Sequence, residues 1–389
     1  MKYTRWLLRI GVPVLTAALA IWLLVIVNNE EEPVHGRRNM DRIDSLVQDF
    51  FNTGRYPSLS VGLVQDDTLI YSRALGIAEK QTGRPATVET IYELGSVGKV
   101  LTTTVLAVLH VRGVVSIDDP VQKWLPDNPG FPKHPSGWDE MTLEHLATHT
   151  SGLPGIPVNV GHLPSFQWPG YSAEMLHDGL HQTELLHPPG TELVYSSLGT
   201  GLLGHILSIA SGESYEKVIE DELLSPLGMT NTVISLRDDQ KARNSTGYES
   251  NESFNEVPLY EYGVLAGCGA HRSTVSDLAR FVSAQWECPP DRKNPLTEDV
   301  RSELHRTHWQ SDDGETRIAL GWFVSPHEGL GNFLGHRGRT PGHSAFVGFI
   351  LEQKAGVIIL TNRGGRETSI EITEFGERIL LDHLGCAQQ

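Results

Sequence analysis

Ser96 and Lys99 stand three residues apart at the head of a long apolar run, and this pair is the first chemistry the chain offers. Residues i and i+3 of a helix share a face, so the hydroxyl and the amine can meet. A serine hydroxyl is a poor nucleophile until a neighbour takes its proton, and lysine can do so where burial or nearby positive charge favours its neutral form. The free N–H groups of a helix start would lie beside that hydroxyl, where a developing oxyanion needs donors. The pair suits acyl transfer through a covalent serine intermediate. Ser214-Tyr215-Glu216-Lys217 repeats the short pattern, but the residues after it, Val218-Ile219-Glu220-Asp221-Glu222, have the mixed character of a surface helix, which makes Ser214 a cap.

The elements that must hold the pair can be read from periodicity. An extended piece over residues 90–94 delivers the chain to Ser96, and Val97, Val100, Leu101, Val105, Leu106, Val108, Leu109 and Val111 follow, with Gly113 as a stop. A helix apolar nearly all round sits inside a domain. Upstream, Ile43, Leu46, Val47, Phe50 and Phe51 recur at helical spacing, and residues 59–64 and 68–74 read as a hairpin about Gln65-Asp66-Asp67. Residues 116–245 are rich in Pro, Gly, His and helical patterns and poor in alternating strands. Strand patterns return at 318–324, 332–335, 345–351 and 356–361, and a helix over 369–384 closes the chain. The two ends therefore share one antiparallel sheet flanked by helices, an α/β chain of the α+β type with an inserted, mostly helical subdomain, and the active site is expected between the two.

Composition narrows the partners. A formal net charge of -17 leaves no basic surplus for phosphates, which argues against nucleic acid. Cys268, Cys288 and Cys386 are too few for a disulfide framework. Cys268, between two glycines and with no paired histidine evident, reads as small packing. His145 and His149, and likewise His177 and His181, stand four apart, but neither pair has the glutamate a zincin needs, so no metal and no cofactor is expected. At the N-terminus Lys2, Arg5 and Arg9 precede an uncharged run over residues 10–27, and Asn28, Asn29, Glu30, Glu31 and Glu32 follow it. This reads as a single-pass signal anchor over residues 1–27, with the rest of the chain on the extracytoplasmic side and residues 28–39 as a tether. A cleaved signal peptide is the rival reading, with Ala18-Leu19-Ala20 as its cleavage site, although the residues after it are still membrane-like.

Over residues 40–384 the chain resembles the β-lactamase-like serine hydrolases, the superfamily of class C β-lactamases, penicillin-binding DD-peptidases and related carboxylesterases. Ser96-Val97-Gly98-Lys99 matches the nucleophile motif, Tyr195-Ser196-Ser197 the Tyr-x-Asn element, and His336-Arg337-Gly338 the Lys-Thr-Gly strand in its His-x-Gly form. Ile117-Asp118-Asp119-Pro120-Val121, His149-Thr150-Ser151-Gly152-Leu153-Pro154, Pro226-Leu227-Gly228-Met229 and Pro341-Gly342-His343 match in the family's order. The resemblance implies a β-lactamase/transpeptidase-like catalytic domain over residues 40–389. It further implies that Ser96 is the nucleophile, that Lys99 and Tyr195 share the proton work in an order the sequence leaves open, and that the N–H groups of Ser96 and Arg339 hold the oxyanion. Ser197, His336, Gly338 and Arg339 would meet the substrate, a small molecule or short peptide.

Two departures carry information. Ser197 lacks the amide of the family's asparagine, and His336 replaces a fixed positive charge with a group mostly neutral at pH 7. Both point away from a β-lactamase and towards small esters or amides, of the esterase or D-amino acid peptidase type, unless Arg337 and Arg339 face the cleft. An acyltransferase on the same scaffold would want an apolar acceptor groove, for which Leu163, Phe166, Trp168, Tyr171 and Leu176 are candidates. A non-catalytic binding protein would not need an intact Ser96, Lys99 and Tyr195. The Gly-x-Ser-x-Gly elbow of the α/β-hydrolases is missing, because Leu94 stands two residues before Ser96.

Overall fold

The computed structural model describes residues 34–125, 140–161, 168–251, 253–286 and 294–385. The expected membrane helix lies outside them, as do Cys288, Cys386, Leu163 and Phe166. Among the described residues no helix is long and apolar enough to cross a membrane. The chain divides into two units, Met1–Gln48 and Asp49–Gln389. Helix α1 (Val34–Phe51) starts within the stretch expected to be a tether, rather than at residue 40. No proline interrupts residues 34–51, and extending a formed helix is far easier than nucleating one.

The second unit is built on a nine-stranded antiparallel sheet. Its N-terminal contribution is β1 (Ser58–Gln65), β2 (Thr68–Glu79) and β3 (Arg84–Pro85). The rest follows much later: β4 (Trp309–Gln310), β5 (Arg317–Ile318), β6 (Phe323–His327), β7 (Gly331–Arg339), β8 (Ser344–Ile350) and β9 (Ala355–Thr361). The spatial order is β3-β2-β1-β9-β8-β7-β6-β5-β4. The expected hairpin is the β1–β2 pair, and β1 lies against β9 with Leu59 opposite Thr361. The run expected as one strand over 318–324 is broken into β5 and β6, because Gly321 adopts φ +77° and Thr103 Oγ1 donates to Leu320 O at 3.0 Å in the bend.

Strands β8 and β9 are buried along their whole length, since helices cover both faces of the sheet. On one face α5 (Arg366–His383) sets Gly376 against Phe346 and Ile359. On the other, α4 (Val275–Ser283) sets Val275 against Gly62 and Val282 against Gly356. The second face opens into the larger apolar core, which takes in α2 (Gly98–Val111) and α3 (Ser197–Ser211). Residues 98–109 of α2 are all buried, and Gly113 beyond its end adopts φ +73°.

The site is positioned where α2 meets β7. Tyr92–Glu93 pairs with Arg272–Ser273, Leu94 N–H donates to His271 O at 2.9 Å, and the chain then makes a tight turn over Gly95–Val97 into α2. Strand β6 pairs with β7 only from Gly331 to Gly335, so the edge of β7 beyond that point is left to this turn. The fit leaves no room for side chains. A Cβ on Gly338 would lie 1.9 Å from Leu94 O and 3.0 Å from Ser96 N, and one on Gly95, at φ +51°, would lie 2.5 Å from Arg339 O. Gly338→Ala is therefore expected to lower the melting temperature by several degrees, consistent with an overpacking cost of about 1–3 kcal/mol. Calorimetry on the folded chain checks this, and an unchanged melting temperature would show that the strand can back away freely.

Candidate active site

The 3₁₀ turn over Gly95–Val97 places half-buried Ser96 directly before α2, and Lys99, one turn on, reaches back to it. Lys99 is 1 % exposed; its Nζ lies 3.1 Å from Ser96 Oγ and donates to Cys268 O at 2.7 Å. The carbonyl belongs to a turn over Gly263–Cys268 that lies across α2, and Thr102 Oγ1 donates to the neighbouring Gly267 O at 2.6 Å. Glycine at 267 also lets the turn pack against α3, since a Cβ there would lie 2.9 Å from Gly204 Cα. The Cys268 thiol is buried and pushed up to about 11, chiefly by desolvation, so its backbone rather than its sulfur serves the site. Sequence reasoning read Cys268 as small packing but had no signal for its carbonyl.

Tyr195 ends the loop before α3. It is 38 % exposed, with Lys99 Nζ 5.1 Å from its ring centre and the rings of His149 and His336 at 4.2 Å and 6.3 Å. Ser197 opens α3; its N–H donates to Gly155 O at 2.9 Å, and it does not line the cavity that holds Ser96 and Tyr195. Ser196 caps the helix, accepting from Gly199 N–H at 2.9 Å.

Strand β7 splits its residues between two faces, as alternation requires. His336 is 2 % exposed, with Nδ1 2.8 Å from Arg337 O and Nε2 buried without a partner among the described residues. Arg337 and Arg339 are exposed. A cavity of about 480 Å³ is lined by Ser96, Tyr195, His336, Arg337 and Arg339 and continues along α5 to Arg366 and Glu377. Gly338 lines it too, and acts as the point of backbone contact with the Ser96 turn.

One buried carboxylate ties the two halves together. Glu93 Oε1 accepts from Tyr260 N–H at 2.7 Å and lies 3.4 Å from the Arg272 guanidinium. Its Oε2 accepts from Thr340 Oγ1 at 2.7 Å and lies 3.2 Å from His343 Nδ1. Burial works to raise this carboxyl, but His343, Arg272 and the Tyr260 N–H together hold it below the usual range. Glu93 thus joins the residues just before Ser96 to those just after Arg339.

Other expected groups lie elsewhere. His145 Nδ1 accepts from Thr142 N–H at 3.2 Å and caps its own helix. Ser214 is a helix cap, accepting from Lys217 N–H at 3.3 Å. Trp168, Tyr171 and Leu176, the described candidates for an acceptor groove, are core residues at 5 %, 1 % and 0 % exposure. Aromatic side chains in this segment fill the core, and the Tyr171 hydroxyl finds its partner in Asn159 Oδ1 at 2.8 Å.

A family model described as Beta-lactamase matches residues 43–376. A beta-lactamase of Pseudomonas fluorescens is 26% identical over 354 residues, spanning 82% of this chain and 92% of that protein. Protein flp of Staphylococcus aureus is 26% identical over 329 residues; the match takes in 83% of this chain and 63% of that longer protein. Among solved structures, a class C beta-lactamase superposes with a TM-score of 0.77 at 23% identity, covering 92% of this chain and 99% of its own. A D-alanine carboxypeptidase from Burkholderia cenocepacia does so with a TM-score of 0.75 at 23% identity, covering 90% and 99%. At these identities the structural likeness is one of fold.

The imidazoles around Lys99 set a pH dependence. His149, His271 and His336 are buried and held below the ordinary imidazole range, first by desolvation and then by neighbouring positive charge that includes Lys99; His271 and His336 fall to about 3. Such a group takes up its proton in the unfolded chain first, so stability is lost as pH falls from about 6.5 towards 3. The melting temperature is expected to drop between pH 7 and 4.5, and to drop less in His336→Gln. Parallel curves for the two proteins would show that His336 is not held neutral in the folded state.

Proposed function

Because the chain belongs to the Beta-lactamase family and is a serine hydrolase, we propose that Ser96 attacks small esters or amides and forms an acyl-enzyme, in a domain anchored on the extracytoplasmic side of a membrane. The observation that carries the chemistry is the 3.1 Å contact between Lys99 Nζ and Ser96 Oγ, with the same nitrogen tied to Cys268 O. That second bond occupies one N–H and aims the rest of the amine at the hydroxyl. Once neutral, Lys99 takes the Ser96 proton as the Oγ–carbon bond forms. Tyr195, beside Lys99, shares the passage of that proton to the leaving group. The oxyanion lies between the N–H groups of Ser96 and Arg339, brought close by the contact of Gly338 with the Ser96 turn. Water then releases the acyl group.

The site is not built as a β-lactam site would be. His336 supplies no positive charge at the point where a substrate carboxylate would want one, and what positive charge the cavity has comes from Arg337 and Arg339, which line it from exposed positions. Ser197 opens α3 and does not line the cavity, which leaves an acyl-amide without a side-chain partner from that position. Hydrolysis has better support than acyl transfer, since the described candidates for an acceptor groove, Trp168, Tyr171 and Leu176, are in the core. Anchoring rests on the uncharged run over residues 10–27 behind Lys2, Arg5 and Arg9.

The test uses the full chain with a fluorophosphonate probe and p-nitrophenyl butyrate. Wild-type protein is expected to label and turn over; Ser96→Ala should do neither, and Lys99→Met should lose at least about 100-fold in kcat, the lower end of a positioned base's contribution. Equal labelling of wild type and Ser96→Ala would remove Ser96 from the mechanism. A tag at Gln389 should be reached by protease from outside intact cells, and a protected tag would overturn the membrane orientation.

A further inference from the structure

We propose that His149 is a positioning residue that holds Tyr195 in its working orientation, an inference that rests on the reading of Tyr195 as part of the proton path. Three contacts from this one residue fall on three consecutive residues. Its carbonyl accepts from Val194 N–H at 2.9 Å, its ring lies 4.2 Å from the Tyr195 ring, and its Nδ1 accepts from Ser196 N–H at 3.2 Å. The residues on both sides of Tyr195 are thus held by the residue on which its ring rests.

The backbone is bent to make this possible. His149 adopts φ +61°, a left-handed conformation uncommon outside glycine and held here by Thr150 N–H donating to His145 O at 3.0 Å. The turn lets carbonyl and ring reach the same short segment. Tyr195 needs such support, because more than a third of its side chain is exposed and its contacts in the site are with rings and the Lys99 amine. On the other side, Ser196 is already committed: its Oγ donates to Pro154 O at 2.7 Å and caps α3.

The bond to Ser196 also fixes the imidazole. Nδ1 accepts, so the neutral ring carries its proton on Nε2, an atom that is buried and without a partner among the described residues. A residue kept only for packing has no need of a nitrogen at that position. The requirement is instead an acceptor at the δ position together with tolerance of left-handed φ. Asparagine meets both, and glycine meets only the second.

The experiment is a double-mutant cycle on the full chain, reading kcat and KM for p-nitrophenyl butyrate alongside the melting temperature. Tyr195→Phe is expected to lower kcat at least about 100-fold, as removal of a proton-transfer group does. His149→Gly should lower kcat by about 10- to 100-fold with KM within about threefold, the signature of a misplaced group. In the Tyr195→Phe background His149→Gly should cost less than about threefold more, since the residue acts through Tyr195. His149→Asn should stand within about fivefold of wild type, its amide oxygen replacing Nδ1. Multiplying losses in the double variant would overturn the proposal while leaving the role of Tyr195 intact. Undiminished activity in Tyr195→Phe would overturn that role, and the proposal with it. If His149→Gly does not fold, His149→Asn alone decides, and a folded Asn variant as slow as Tyr195→Phe overturns the proposal.

Discussion

Everything at this site depends on two stretches of main chain meeting without side chains between them. The turn that carries Ser96 and the end of β7 touch through Gly95 and Gly338, atom against backbone atom. An oxyanion site made of peptide N–H groups requires this, because the two donors can converge on one oxygen only if their backbones come within a few ångströms of each other. The sheet prepares the meeting by letting the pairing of β6 with β7 stop at Gly335, and Glu93 secures it by reaching from the residues before the serine to those after the strand. The glycines, the short partner strand and the buried carboxylate are three parts of one arrangement.

The electrostatics follow from where that arrangement puts Lys99. Its amine lies in the interior with a hydroxyl and a carbonyl as its hydrogen-bond partners; beside it are the Tyr195 ring and the imidazoles of His149 and His336, which burial and its charge keep neutral. Placing a carboxylate next to it would lock its proton in place. The acid the fold does bury, Glu93, is matched instead with Arg272 and His343. The charge of Glu93 is thereby satisfied away from Lys99, while Arg337, Arg339 and Arg366 line the cavity that Ser96 shares.

Much of this was legible before any coordinates. The all-round apolar run after Ser96 required a buried helix, the hairpin and later strand patterns required a shared antiparallel sheet, and the order of short motifs supplied the family. What was not legible came from long-range contacts. Cys268 O, Glu93 and the bend at Leu320–Gly321 act through backbone groups or partners far away in sequence, and a single chain carries no periodic signal for those. The face of β7 was undecidable from alternation alone, and packing resolved it by burying His336 and exposing both arginines. Trp168 and Tyr171 were candidates for a groove because apolarity marks a wall of the core and a wall of a cleft in the same way.

The pairing of β1 with β9 sets the order in which this molecule can come into being. The first long strand has its partner near the end of the chain, and the serine waits for a strand more than two hundred residues further on. Contacts so distant make for slow folding, with unpaired strand edges exposed in the interval. Synthesis therefore delivers Ser96 well before the strand that carries Gly338 and Arg339, so the two sides of the site meet only after that strand is made. The contact on which the proposed chemistry rests is thus among the later ones this sequence can make, and it is the closing of the sheet that supplies it.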